Sequence, residues 1–394
     1  MASVVDTSVK FFHSGMLSAP PLNGTAGSML ILLQACLVDG FGLKSADSLT
    51  ITANVATINF SSPHSAEVDV VVIIDGASPA ALNGEQKVTA ITANSISFKT
   101  SGLADQSATG SISMKLAPAG WSKIFSDVNL AAFKSANVEA TGMILRVDDT
   151  NAKFARVVGY EVMTDVNTGT NKFPTETQQA GGLYWTKSST ADSAPRIWSL
   201  FADSKTIIFN RYPIGNMLTH SELSTFGDLV AAKSGDAFSS VISGSASDAS
   251  SGNIPALSNN FYSDPSPAAV YAARSYTGLG TSQQLLRSFQ TLTTALTSFY
   301  SGNVTDGVPF PNAVDNGLYM TNFNLCEVAN KSFRGIYPGM YAVPQNAGGA
   351  AFSHLDKVPT VGNLAGRIAK AIPHYNTTYN TAGVVFIEIT GPWR

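Results

Sequence analysis

Two adjacent carboxylates, Asp148 and Asp149, are of the residue type that ligates a divalent cation. Neighbours at a strand end point to opposite faces, however, so the two cannot close on one ion. Beside Thr150-Asn151 they read as turn formers. His220-Ser221-Glu222 sets three catalytic residue types side by side, but a triad is a spatial arrangement and gains nothing from being consecutive. The five histidines, His13, His64, His220, His354 and His374, lack His-x-x-x-His or Cys-x-x-Cys company, and each reads as a surface or core-edge residue. Cys36 and Cys326 are too few for a disulfide framework or a structural zinc site and read as buried free thiols. Gly278-Leu-Gly280 precedes an expected helix without a strand before it, which is the wrong context for phosphate binding. The aromatics Tyr184-Trp185, Trp198 and Tyr375 to Tyr379 have the chemistry to stack on sugars, although in alternating strands they serve as core. No residue is assigned a catalytic, cofactor-binding or metal-binding role, and no cofactor is expected.

The elements that would position any site are mostly strands. Leu49 to Ala53 and Val55 to Phe60 alternate apolar with polar around Asn54, a residue that tolerates a left-handed turn. Val68 to Ile74 is a β-branched run, and Leu82-Asn83-Gly84 signals a hairpin before Lys87 to Thr92. Ser95 to Lys99 and Gly110 to Leu116 alternate again. Six short strands in under seventy residues predict a small β-barrel or sandwich module. Before it, Met29 to Val38 is apolar nearly all round and predicts a buried helix, capped by Thr25 or Ser28 and closed by Gly40. After it, Met143 to Val147 and Ala155 to Met163 read as strands paired around the turn at 148–151, and residues 182–185, 196–201 and 205–209 continue that sheet. Strands on both sides make the module an insertion.

The expected fold class is therefore mainly β with a few helices (α+β). An outer sheet domain covers 1–42 and 117–238, and the inserted β module covers 43–116. A flexible Ser/Gly-rich loop follows at 239–254, then a C-terminal α+β part at 255–394 packed on the outer domain. In that last part, Thr281-Ser-Gln-Gln284 matches a capping box ahead of Leu285, Phe289, Leu292, Leu296 and Phe299, the spacing of an amphipathic helix stopped by Gly302. Residues 317–328 and 337–343 read as strands with the Pro-Gly pair at 338–339 as a turn, and Val384 to Thr390 as a terminal strand.

Ile73-Ile74-Asp75-Gly76-Ala77, Leu82 to Val88, Ser97-Phe98 and Thr109 to Ile112 together resemble the small β-domain inserted in many tailed-bacteriophage structural proteins. In that family a His-Gly-Phe precedes the Val-rich strand, and here Pro63-His64-Ser65-Ala66 stands in its place. The flanks are similar to the same proteins at Leu22 to Gly27, Cys36 to Gly42, Leu145 to Asp149, Arg156 to Glu161, Phe226 to Asp228, Phe333 to Gly339 and Ile389 to Arg394. The resemblance implies a virion component, in tail, tail tip or baseplate, whose partners are other phage virion proteins and further copies of itself in ring symmetry. A host-surface glycan is the alternative partner, in a receptor-binding appendage. Capsid decoration or a neck position follows, and a cell-wall hydrolase comes last.

Composition agrees with a subunit. Only 13% of the 394 residues are charged, about half the usual share of roughly 25%. A surface of hydroxyls and amides is less costly to desolvate against a neighbour than one of Lys and Glu. The net charge of −3 argues against nucleic acid. No apolar run reaches the ~20 residues of a membrane span, and nothing like a signal peptide opens the chain. The expectation is a protein made in a bacterial cytoplasm and carried in the virion.

Overall fold

The computed structural model describes residues 3–214, 221–248, 270–288, 299–304, 308–346, 348–376 and 381–394. It is mainly β. Strands collect in three large sheets. The first is the predicted small module: Phe41–Ser45, Ser113–Leu116, Val71–Asp75, Gly84–Thr92, Ser95–Lys99, Val55–Asn59, Ser48–Thr52 and Gln106–Ser107, in that spatial order. Alternation places Leu49, Ile51, Ala56, Ile58, Ile96 and Phe98 inside, all at most 2% exposed. Ala53 and Asn54 both take positive φ between the paired residues Thr52 and Val55, the backbone twist a two-residue hairpin needs. Asn83-Gly84 works differently from the sequence expectation. Asn83 is extended, and its side chain bonds both the N–H and the carbonyl of Ala77 at 2.8 Å, so it braces a longer loop in place of a two-residue turn.

The module's core runs without a break into that of the rest of the chain. Its ties are specific: Phe12 packs against Phe41, Lys10 pairs with Glu85 and His13 with Glu67, and Lys87 donates to the Ile389 carbonyl at 2.6 Å. The sheet nonetheless satisfies its own ladders. A fragment spanning residues 41–117 is expected to give a dispersed amide spectrum and a cooperative melt, and a fragment that orders only within the whole chain would refute independence.

Lys87 gives a pH test of this junction. Burial pushes its ammonium down to about 8, against ~10.4 in an unfolded chain. Between those values the unfolded chain holds a proton that the folded chain lacks, so stability rises with pH through the window and is lost as pH falls through 8. The gain in unfolding free energy between pH 7 and 10.5 should be on the order of 3 kcal/mol larger in the wild type than in Lys87→Met. Parallel urea curves for the two proteins would show no such group.

The second sheet contains Trp121–Asp127, Leu130–Ser135, Ile144–Asp148, Phe154–Met163 and Gly169–Phe173, with Leu183–Thr186 also paired to Phe154–Met163. The expected pairing around residues 148–151 is present, with Asp148 opposite Arg156. The strands beyond Thr186 leave this sheet, contrary to the sequence reading. Ile197–Ala202 and Thr206–Tyr212 instead join Lys10–His13 in a third sheet of thirteen described strands.

That third sheet crosses the expected boundary at 239–254. From Thr206–Tyr212 it proceeds through Glu222–Asp228, Ser240–Ser243, Val270–Ala272, Gln283–Ser288, Thr321–Glu327 and Phe333–Ala342 to Thr381–Glu388, Ile368–Asn376 and Lys357–Pro359. Val230–Ala231, directly after Glu222–Asp228, also pairs with Phe333–Ala342, so the sheet curls back on itself.

Three expectations are corrected here. Ser240–Ser243 is a fully buried strand and not part of a flexible loop, because small hydroxyls fit against Thr225 and the Trp185 indole, which bond Ser243; residues 249–269 lie outside the described residues. Gln283–Ser288 is a strand where a helix was expected, its backbone bonded to neighbours on both sides, and residues 289–298 lie outside the described set. Pro338-Gly339 is a bulge inside Phe333–Ala342 and not a turn, since Asn322 faces Tyr341 while Asn324 faces Ile336. Gly339 has φ +67°, and a Cβ there would meet the Trp393 indole at 2.2 Å.

The α-helix Ser28–Gln34 continues as a π-helical turn, Ala35–Asp39. Met29, Leu32, Leu33, Cys36 and Leu37 are wholly buried, whereas Ile31 is 63% exposed. Neither Thr25 nor Ser28 caps it; the Ser28 hydroxyl donates to the Asn23 carbonyl. No helix among the described residues is long and apolar enough to cross a membrane.

Candidate functional site

The two adjacent aspartates part as strand geometry requires. Asp148 accepts from the Thr150 N–H at 3.2 Å and forms the expected turn. Asp149 turns inward to zero exposure. Its Oδ2 accepts from the amides of Met29 (2.8 Å) and Leu30 (3.3 Å), capping the helix from 120 residues away. Its Oδ1 pairs with the wholly buried Lys187, whose ammonium also donates to the Thr25 carbonyl at 2.6 Å. Burial raises the Asp149 carboxyl to about 6 and lowers the Lys187 ammonium. A carboxylate spent on two amides and a lysine has little left for a metal.

Glu222 is likewise internal. It pairs with Arg211 at 2.8 Å and accepts from the Thr186 N–H at 3.0 Å, and burial pushes its carboxyl upward. Ser221 is buried beside it, and His220 lies outside the described residues. His13 bonds Glu67 at 2.8 Å. His64 sits against the Thr92 and Ser95 carbonyls. His354 lies 3.3 Å from the Ser199 hydroxyl and edge-on to Tyr212, its imidazole pushed down to about 4 by burial. His374 is 2% exposed. Among the described residues no three of His, Cys, Asp and Glu gather as a metal site requires. Cys36 and Cys326 are both buried free thiols.

Among the described residues the aromatic candidates do not form a platform. Trp185 and Trp198 are wholly buried, with their indole N–H groups donated to the Ser243 and Pro20 carbonyls. Tyr184 lies under the Arg156 guanidinium, 3.8 Å from its ring centre. The Tyr375 side chain and residues 377–380 lie outside the described residues. Gly278-Leu-Gly280 joins Val270–Ala272 to Gln283–Ser288, strand to strand, and so lacks the helix a phosphate cradle uses.

Two of the concavities among the described residues matter here, and neither was legible in the sequence. The larger is a groove of about 450 Å³ between the helix and the hairpin of Trp121–Asp127 with Leu130–Ser135. Leu30, Ile31, Ala35, Leu130, Ala131 and Phe133 give it an apolar lining. Trp121–Asp127 ends its sheet, so one side of its backbone is unpaired among the described residues. A bulge at Ile124 and the charges of Lys123 and Asp127 interrupt that edge. The smaller concavity, about 150 Å³, has a mixed polar and apolar lining and joins the second sheet to the third. Glu161 from Phe154–Met163 meets Arg274, which follows Val270–Ala272, through paired Nε–Oε1 and Nη2–Oε2 contacts.

Some of the described ion pairs are internal, whereas others, such as Lys172–Glu176 and Lys205–Glu139, are exposed. Asp149–Lys187, Glu222–Arg211 and Asp236–Arg334 are all closed and buried, and Glu388 takes Arg367 and the Tyr341 hydroxyl. Part of a small charge complement is thus held inside. Compared with protein-family models and with curated proteins, the chain matches none.

Proposed function

We propose that this chain is a structural component of a tailed-bacteriophage particle, placed in the tail, tail tip or baseplate and acting through oligomeric assembly. The observation that carries the reading is the distribution of charge. A chain with 13% charged residues puts several of its carboxylates and cations into buried pairs. What faces outward is then dominated by hydroxyl, amide and small apolar groups, which lose little on being covered by a neighbour. The apolar groove beside the helix supplies a surface for such contact, and the chain-wide resemblance of motifs points to phage particles. In this reading the protein has no catalytic activity and needs no cofactor. Its partners are other virion proteins and further copies of itself around a symmetry axis.

Mass spectrometry of purified particles, with antibody labelling, tests the reading. Several copies per particle and a label at the tail are expected. A bulky charge in the groove, Ile31→Arg at a residue 63% exposed, should stop tail assembly because a ring repeats the fault at every interface. Absence of the protein from mature particles would sink the proposal, and labelling confined to the head would move it to decoration.

A further inference from the structure

The third sheet ends on a short strap. Lys357–Pro359 is its last strand, three residues long, and among the described residues it is paired on one side only, to Ile368–Asn376. The residues leading into it are held to the same neighbour. The Leu355 N–H donates to the Ala371 carbonyl at 2.8 Å, and the Ala371 N–H to the Asp356 carbonyl at 2.9 Å. Side chains tie the strap to two other parts of the chain. His354 reaches into the third sheet, where its Nε2 lies 3.3 Å from the Ser199 hydroxyl and its ring stands edge-on to Tyr212. Lys357 reaches out to Asp69 of the small module at 2.5 Å. The strap therefore bridges the sheet and the module.

The charges around His354 are one-sided. His13, from the strand Lys10–His13, and Lys370, from Ile368–Asn376, both act against a proton on its imidazole, and Ser199 and Tyr212 bring no charge. The carboxylates of the same corner are committed elsewhere: Glu67 to His13 at 2.8 Å, Asp69 to Lys357, and Asp356 to the Ser353 N–H at 2.7 Å. When His13 is charged it has Glu67 as its partner, whereas a charged His354 would face two cations with no carboxylate of its own. A neutral imidazole fits this place and an imidazolium does not. Burial, then His13 and Lys370, push the His354 imidazole down to about 4, against ~6.5 for an exposed histidine. Between those values the open strap binds a proton that the closed strap refuses. Closure is therefore favoured above pH 6.5 and weakens as pH falls toward 4.

We propose that residues 353–359 form an acid-released latch: in mildly acidic solution a proton on His354 expels it from beside Ser199 and Tyr212, peels Lys357–Pro359 from the sheet edge and frees Asp69 of the module from Lys357. The strap is at the end of its sheet, so its release leaves the ladders between the other described strands in place. The latch is independent of the assembly role: it would stand if the protein proved not to be a virion part, and its failure would leave that role intact.

The test is hydrogen exchange of the full chain at pH 7.5 and pH 5, corrected for the intrinsic pH dependence of amide exchange. Strap amides should exchange roughly thirtyfold faster at pH 5, while those of Thr206–Tyr212, paired on both sides in the same sheet, stay protected. His354→Phe, which keeps an aromatic ring in place and takes up no proton, should hold the strap equally closed at both pH values. If that variant is already open at pH 7.5, the imidazole resonance of His354 in the wild type decides. It should titrate well below the ordinary histidine range, and titration near 6.5 would overturn the latch. Equal protection of the wild-type strap at both pH values, or an acid opening that persists unchanged in His354→Phe, would overturn it as well.

Discussion

Asp149→Ala is expected to lower the unfolding free energy by about 3–5 kcal/mol, a large part of a typical margin of roughly 5–15 kcal/mol. The substitution removes one side chain but breaks three relations. The amides of Met29 and Leu30 lose their acceptor, the helix loses the negative charge at its N-terminus, and Lys187 is left as an unpaired ammonium at zero exposure. The last effect is the largest, because an uncompensated charge in a dry interior has neither water nor counterion. The double replacement Asp149→Asn with Lys187→Met should recover most of the loss, since the amide oxygen can still accept from the helix and no charge remains buried. Chemical denaturation of the wild type, Asp149→Ala and the Asp149→Asn/Lys187→Met double variant measures this directly. An alanine variant within 1 kcal/mol of wild type would mean that the pair contributes little. At the neighbouring Asp148, half-exposed and in a turn, alanine should change stability by no more than about 0.5 kcal/mol. The contrast between adjacent residues of one type separates a structural carboxylate from a solvated one.

Removal of residues 384–394 is expected to abolish soluble expression. The strand Thr381–Glu388 lies between Phe333–Ala342 and Ile368–Asn376 and pairs with both, so it is interior to the third sheet. Val384, Val385, Phe386, Ile387 and Ile389 are at most 1% exposed, and Trp393 packs over Gly339 with its indole donating to the Glu388 carbonyl. Six apolar side chains at ~1.5–3 kcal/mol each come to roughly 9–18 kcal/mol of burial, as much as a domain's whole margin. The deletion would also take away Glu388, leaving Arg367 and the Tyr341 hydroxyl without their carboxylate. Expression with solubility and circular dichroism provides the check. A soluble truncate with native β signal would make this strand dispensable. Trp393→Ala alone should be milder, about 3–5 kcal/mol, and recoverable as a folded protein.

The outcomes above depend on information that sequence carries unevenly. Period-two alternation placed the strands at 49–52, 55–59 and 95–99, and identified the pair around residues 148–151, because a half-buried strand writes its two faces directly into the chain. The apolar run at 29–38 specified a buried helix for the same reason. The low charge density was also a property of the chain as written. Local pattern failed where the partner was distant. Gln283–Ser288 opens with a capping-box spacing, yet ladders from Val270–Ala272 and Thr321–Glu327 hold it extended. Ser240–Ser243 looks like linker by composition and is a core strand because neighbouring strands pair with it.

The same division holds for side chains. That Asp149 would be buried beneath a helix begun 120 residues earlier, and that Trp393 would require a glycine at 339, follow from contacts no spacing rule encodes. The smaller concavity is the clearest case: Glu161, Asn171 and Lys172 come from one hairpin, and Arg274, Thr281 and Ser282 from a loop a hundred residues on. Local residue type determined which segments would become strands and how little charge the chain could show. The third dimension decided which strands share a sheet and which polar atoms meet, because both are set by long-range pairing, whose energy depends on the partner as much as on the segment itself.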